Sequence, residues 1–215
     1  MDIRRATVIA GVSLTALVAA GCGSNNSSTT ETVTIETPPL SRETTNTAMP
    51  MPGMNGDVFQ TPGTSSGEVD AFTYDAAAVP VGSSVDIESD ENDGRTTVMF
   101  TAKGLAPNRD FGVHVHTRPC GPKPSDAGPH YQNNVDPAAT PETPSSDPAY
   151  ANPQNEVWLD VTTDAAGNAQ SSSTVDWEFR EDQAQSVVIH AQHTMTDPGK
   201  AGMAGDRLAC IDEDF

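Results

Sequence analysis

Phe111-Gly112-Val113-His114-Val115-His116-Thr117 alternates apolar side chains with glycine and histidine. Read as a strand, it turns Phe111, Val113 and Val115 to one face and Gly112, His114 and His116 to the other. The apolar face predicts anchoring in a core, which gives the imidazoles a fixed base. His114 and His116 then stand one step of the pleat apart, roughly 6.5–7 Å from Cα to Cα. At that separation both rings can turn toward one metal ion. The other reading is two unrelated histidines on a polar strand face. With only five histidines in 215 residues, two on one short strand favour the metal.

Outward from this stretch the chain reads as short strands. Arg95 to Ala102 alternates, and Gly104-Leu105-Ala106-Pro107-Asn108 is turn chemistry leading into the histidine strand. Val157 to Thr163 reads as a further strand. Asp164-Ala165-Ala166-Gly167-Asn168 is predicted to turn it into a strand from Ala169 to Trp177, making a hairpin. Ser186 to His190 and Arg207 to Ile211 supply two more. No segment has a helical period, so the pattern predicts an all-β sandwich or barrel. Trp158 and Trp177 are expected in or near its core. Two irregular stretches stand out: Tyr131 to Asn155, with Pro137, Pro141, Pro144, Pro148 and Pro153, and Ala191 to Asp206. Loops of that length are functional or disordered.

The amino terminus has a different character. Arg4 and Arg5 precede an apolar run from Ala6 to Ala20, too short for a comfortable membrane span but suited to a signal-peptide core. Ala19-Ala20-Gly21-Cys22 looks like a bacterial lipobox, with Ala19 where that pattern prefers leucine. Residues 1–21 are therefore expected to be a signal peptide and Cys22 a lipidated mature terminus, against the plainer alternative of secretion without a lipid. Residues 22–66, rich in Ser, Thr, Asn, Pro and Gly, read as a flexible tether. The folded domain is expected over 67–215. Met49, Met51 and Met54 lie close together in the tether; soft sulfur suits Cu(I), but linker composition accounts for them more simply. The net charge of −19 excludes nucleic acid as a partner, because phosphates need cations to neutralise them.

Four separated blocks carry residues of chemical use: Gly112 to Cys120, Gly128-Pro129-His130-Tyr131, Val187-Val188-Ile189-His190-Ala191, and Gly205-Asp206-Arg207-Leu208-Ala209-Cys210. In that order, over about Gly67 to Cys210, they resemble the copper/zinc superoxide dismutase family, its bacterial branch in particular. The resemblance implies a Greek-key β-barrel with long loops. It places His114, His116, His130 and His190 on the family's copper ligands and Arg207 on its active-site arginine, and it assigns catalytic roles to Arg207 and to His130 at the bridging position. The implied reaction converts superoxide to oxygen and hydrogen peroxide as copper alternates between Cu(II) and Cu(I).

The resemblance also pairs Cys120 with Cys210. Lipidation of Cys22 would account for the remaining cysteine in an oxidising compartment. The family's zinc site needs two further histidines near His130, and the loop after His130 has none; His193, in another segment, reads as a surface residue. One copper per chain and no zinc are therefore expected. The second nitrogen of His130 then needs another acceptor, for which Glu156 is the candidate and Asp160 the alternate. The segment from His190 to Cys210 is compact and carries few charges, which leaves anion guidance largely to Arg207.

The leading expectation is a superoxide dismutase, lipid-anchored through Cys22 to the outer face of a bacterial cytoplasmic membrane. A copper-buffering lipoprotein on the same fold is the alternative, and an envelope domain with a relict site is the third. Arg207 separates the first two, since buffering needs no anion guide.

Overall fold

The computed structural model describes residues 56–63, 69–140 and 142–215, all within the unit Thr45–Phe215. The expected signal peptide, Cys22 and the Met49, Met51 and Met54 group lie outside the described residues. Among the described residues nine strands follow in order: β1 Asp57–Val58, β2 Ala71–Thr73, β3 Ser84–Asn92, β4 Arg95–Lys103, β5 Asp110–His116, β6 Val161–Thr162, β7 Ala169–Val175, β8 Ser186–His190 and β9 Arg207–Asp212. One sheet has the order β1-β3-β4-β7 and the other β2-β9-β8-β5-β6. Every paired ladder is antiparallel. Among the described residues the fold is all-β, as expected, with a single 3-10 turn at Pro124–Ala127. Among the described residues no helix is long and apolar enough to cross a membrane.

The core lies between the sheets. β4 alternates regularly and buries Thr96, Val98, Phe100 and Ala102. Val98, Phe100 and Ala102 meet Phe111, Val113 and Val115 of β5 and Val187 and Ile189 of β8 in one cluster. β3 and β4 form a hairpin about Asp93 and Gly94, which have φ of 53° and 78°. A two-residue loop with both φ positive matches the twist of its strands, and glycine takes that conformation without a Cβ penalty. β3 could not be read from the sequence because its second half, Glu88 to Asn92, is exposed and polar throughout.

Three expectations require correction. The folded part begins before residue 67: β1 pairs with β3, and Phe59 is fully buried in the core. Polar neighbours hid this short element. Val157 to Thr163 is not one continuous strand. Only Val161 and Thr162 form a ladder with β5, and further up there is an isolated bridge between His114 and Trp158. The hairpin is also absent, although its turn is present. Asp164 N donates to Asn168 O at 2.9 Å, and Asp164 Oδ1 accepts from the N–H groups of Ala166 and Asn168. That turn docks on the β4–β5 connection, with Leu105 N donating to Gly167 O and Asn108 N to Asp164 O. β6 is thereby delivered to β5, and β7 to β4 in the other sheet. Two crossovers running side by side, each joining one sheet to the other, give the Greek-key path.

Candidate metal centre

Pairing with β8 fixes which way the β5 histidines point. Gly112 lies opposite His190, His114 opposite Val188 and His116 opposite Ser186, and directly paired residues share a face. His114, His116 and His190 therefore stand together on the face of the five-stranded sheet turned away from the core. His130 joins them from the loop after β5, bridged to His116. One nitrogen from each of the four imidazoles falls within 4.8 Å of the others. His114 and His116 are fully buried and His190 nearly so.

Each ring has a partner on its far side. His116 Nδ1 donates to Gly128 O at 3.0 Å and His190 Nδ1 to Gly205 O at 3.3 Å. A carbonyl can only accept, so both rings keep their lone pair on Nε2. His130 Nδ1 lies 3.0 Å from Glu156 Oε2. Burial foremost, then crowding by the other imidazoles and Arg207, holds His114 and His116 well below the ordinary histidine pKa. Burial also pushes His190 down to about 3, with His130 adding to the effect. These three rings are neutral at physiological pH, the form that binds metals.

The arrangement fits a cation. His116 Nε2 and His190 Nε2 face each other at 3.3 Å, and with both protons on Nδ1 two lone pairs would oppose one another. His114 Nδ1 is, among the described residues, the one buried side-chain nitrogen or oxygen without a hydrogen-bond partner. A metal ion among the four satisfies all of these nitrogens together, and imidazole donors suit copper or zinc.

Glu156 occupies the place anticipated for it. The carboxylate is buried and accepts from three donors: His130 Nδ1, Trp158 Nε1 at 2.8 Å and, on its other oxygen, Gln132 Nε2 at 2.7 Å. Trp158 is thus beside the four-histidine group and not in the core, its ring 6.1 Å from that of His114; Trp177 does pack on the core. Asp160, the alternate for His130, lies instead behind His114, where it accepts from Thr194. His193 is outside the group, with Nε2 3.0 Å from Val161 O.

Arg207 reaches the histidine face through an irregularity. Ile189 pairs with Ala209, yet the next residue, His190, pairs with Arg207 and skips Leu208. This bulge turns Leu208 into the core and Arg207 to the side of His190. The guanidinium donates to Gly128 O at 2.6 Å and Pro124 O at 3.0 Å, so Gly128 O ties Arg207 to His116. Among the described residues no ion pair involves Arg207. It lines a cavity of about 930 Å³ together with His130, His190, Arg118 and Arg180. The sequence reading missed Arg118 and Arg180. Arg180 stacks on Tyr131 and donates to Gln132 O and Asn133 O, holding the chain that follows His130. It also missed Gln132, whose contact with Glu156 no spacing announces.

Cys120 and Cys210 form a disulfide with Cα atoms 5.7 Å apart. With Ala127 and Val188 it makes a small second cluster, which fastens the loop carrying His130 to β9.

Comparison with known proteins agrees with this construction. The copper/zinc superoxide dismutase family model matches residues 81–211. Among solved structures, Cu/Zn superoxide dismutase from Brucella abortus is 18% identical, with 66% of this chain and 96% of that one covered and a TM-score of 0.45. A superoxide dismutase-like protein from Bacillus subtilis is 14% identical, with 60% and 88% covered and a TM-score of 0.36. No curated protein sequence matches the chain. The family match spans every strand from β3 to β8 and all four histidines, and the chain belongs to the copper/zinc superoxide dismutase family.

Proposed function

We propose that this chain is a superoxide dismutase that works with a single copper ion. The observation that carries the reading is the convergence of four imidazole nitrogens, with two of the rings, His130 and His190, lining a cavity beside Arg207, which has no carboxylate partner among the described residues. His114, His116, His130 and His190 would hold the metal. Copper there supplies the one-electron chemistry that takes superoxide to oxygen and, with two protons, to hydrogen peroxide. Arg207 attracts and orients the anion through its planar fork of donors. Glu156 holds the His130 ring in place.

The copper-only part of the proposal rests on what faces His130 Nδ1. Glu156 accepts from it directly, and Glu156 is itself occupied by Trp158 and Gln132. The fifth histidine of the chain, His193, is engaged elsewhere. The decisive experiment is metal analysis of the purified domain alongside a superoxide-consumption assay. One copper per chain without zinc, and consumption well above that of the copper-free protein, is expected. One zinc per copper would overturn the copper-only proposal, and copper without turnover would make the protein a copper buffer.

The proposal extends to location. Ala19-Ala20-Gly21-Cys22 after an apolar run supports a lipid anchor at Cys22 and a site facing outward from a bacterial cytoplasmic membrane. The wild type should partition with membranes and Cys22→Ser should not; equal solubility of the two would remove the anchor.

A further inference from the structure

Asp160 and Thr194 sit behind His114, outside the four-histidine group and unused by the function above. Thr194 Oγ1 lies 2.7 Å from His114 Nε2 and 2.6 Å from Asp160 Oδ1, and Thr194 N donates to Asp160 Oδ2 at 2.7 Å. A hydroxyl has one hydrogen, and a carboxylate oxygen only accepts. The Thr194 hydrogen is therefore directed to Asp160, and Thr194 Oγ1 must accept from His114 Nε2–H. That leaves the lone pair of His114 on Nδ1, the buried nitrogen with no protein partner. His116 and His190 are held the opposite way round, with Nδ1–H donated to their carbonyl partners.

We propose that Asp160 and Thr194 form a relay that fixes the tautomer and ring orientation of His114, making Nδ1 its metal-binding atom. The inference deepens the metal-site reading and rests on it. Both members are positioning residues, since Thr194 touches only the far nitrogen of the ring and Asp160 acts through Thr194.

The backbone is arranged to permit the contact. Gly112 lies on the same face as His114, and a Cβ at Gly112 would meet Ala204 Cβ at 2.6 Å, Gln192 O at 2.7 Å and Thr194 Oγ1 at 3.4 Å. Only a glycine lets the β8–β9 connection lie directly on β5, which brings Thr194 to the ring. Asp160 arrives from the other side on the extended stretch before β6. Two loops distant in sequence thus meet at one imidazole nitrogen. Hydrogen-bond partners on the far side of a metal-binding imidazole set its orientation and basicity, and losing one typically costs about 10–100-fold in metal affinity.

The test begins with the metal-free wild type, with histidine tautomers read from long-range ¹H–¹⁵N spectra. His114 should be protonated on Nε2, and that proton should exchange slowly with solvent. Finding His114 protonated on Nδ1 would overturn the relay without any variant. Because no copper is present, this reading is separate from whether the site binds copper or turns over superoxide. Thr194→Val keeps the side-chain shape and removes the acceptor. It should lose the slowly exchanging proton and bind copper at least about tenfold more weakly, with altered Cu(II) paramagnetic resonance parameters. Thr194→Ser should restore all three. Copper affinity of Thr194→Val within twofold of the wild type, or failure of serine to rescue, would refute the assignment.

Discussion

His190 and Arg207 are register partners across β8 and β9, although one residue earlier Ile189 pairs with Ala209. The skipped Leu208 makes a bulge that puts the guanidinium beside the His190 imidazole of the four-histidine group. Without it the alternation of β9 would send Arg207 toward the core. The bulge thus ties the packing of Leu208 to the placement of Arg207 on the histidine face.

Arg207→Ala should keep its metal and lose turnover, because the guanidinium lines the cavity and is not in the ligand set. Removing one charge-assisted contact is worth about 1.5–3 kcal/mol, on the order of tenfold to a hundredfold in rate. Wild-type turnover should also fall as ionic strength rises. Superoxide consumption by copper-matched samples checks both. Unchanged turnover in the variant would deny Arg207 a catalytic role. His114→Ala, by contrast, should lose copper and activity together.

Glu156 holds three donors at once, so Glu156→Ala strands buried N–H groups. The expected cost in folding stability is about 1–3 kcal/mol for each donor that water cannot reach, read by urea unfolding of the metal-free domain. Glu156→Gln retains one acceptor oxygen and should be milder. Copper affinity should fall in both, by about 10–100-fold for alanine. Wild-type affinity in Glu156→Ala would show that the His130 ring is held by something else.

The Cys120–Cys210 bond closes a separation of 90 residues. On the chain-entropy model that constraint is worth up to about 4–5 kcal/mol. Replacing both cysteines with serine should lower unfolding stability by about 2–4 kcal/mol. It should also raise amide exchange in the segment from Thr117 to His130, which the bond fastens to β9. Exchange that rises uniformly over the domain would mean that the bond does not act on this loop.

A pH effect is expected at Glu213. Burial first, then the charges of Asp57, Asp214 and Asp86, raises its pKa from 4.5 to about 7. The folded protein therefore binds more protons than the unfolded chain between those values, and the stability Glu213 contributes is present below pH 4.5 and lost as pH rises through 7. Glu213→Gln should melt higher than the wild type at pH 8 and level with it near pH 4. Equal melting temperatures at pH 8 would contradict this.

Several features were legible in the sequence because they depend on local alternation or residue type. Phe111, Val113 and Val115 had to face a core, and His114 and His116 had to share the other face, because side chains alternate along any strand. Asp164 to Asn168 had to turn, since aspartate and glycine there satisfy the backbone locally. Glu156, Trp158 and Asp160 alternate with the core residues Val157, Leu159 and Val161, and the same rule sets all three on one outward side, although the sequence reading had expected Trp158 in or near the core. What the alternation could not say is which imidazole each would meet. Glu156 goes to His130 and Asp160 to Thr194 and His114, an outcome set by how two long loops close over β5. The hairpin expected after Thr163 failed for a related reason: a turn specifies a reversal, not the sheet that each strand then joins. The bulge at Leu208 was invisible as well, because Arg207-Leu208-Ala209-Cys210 reads as a regular strand. Its two faces are exchanged only by the competing demands of packing against Ile189 on one side and accommodating Arg207 over the histidine face on the other.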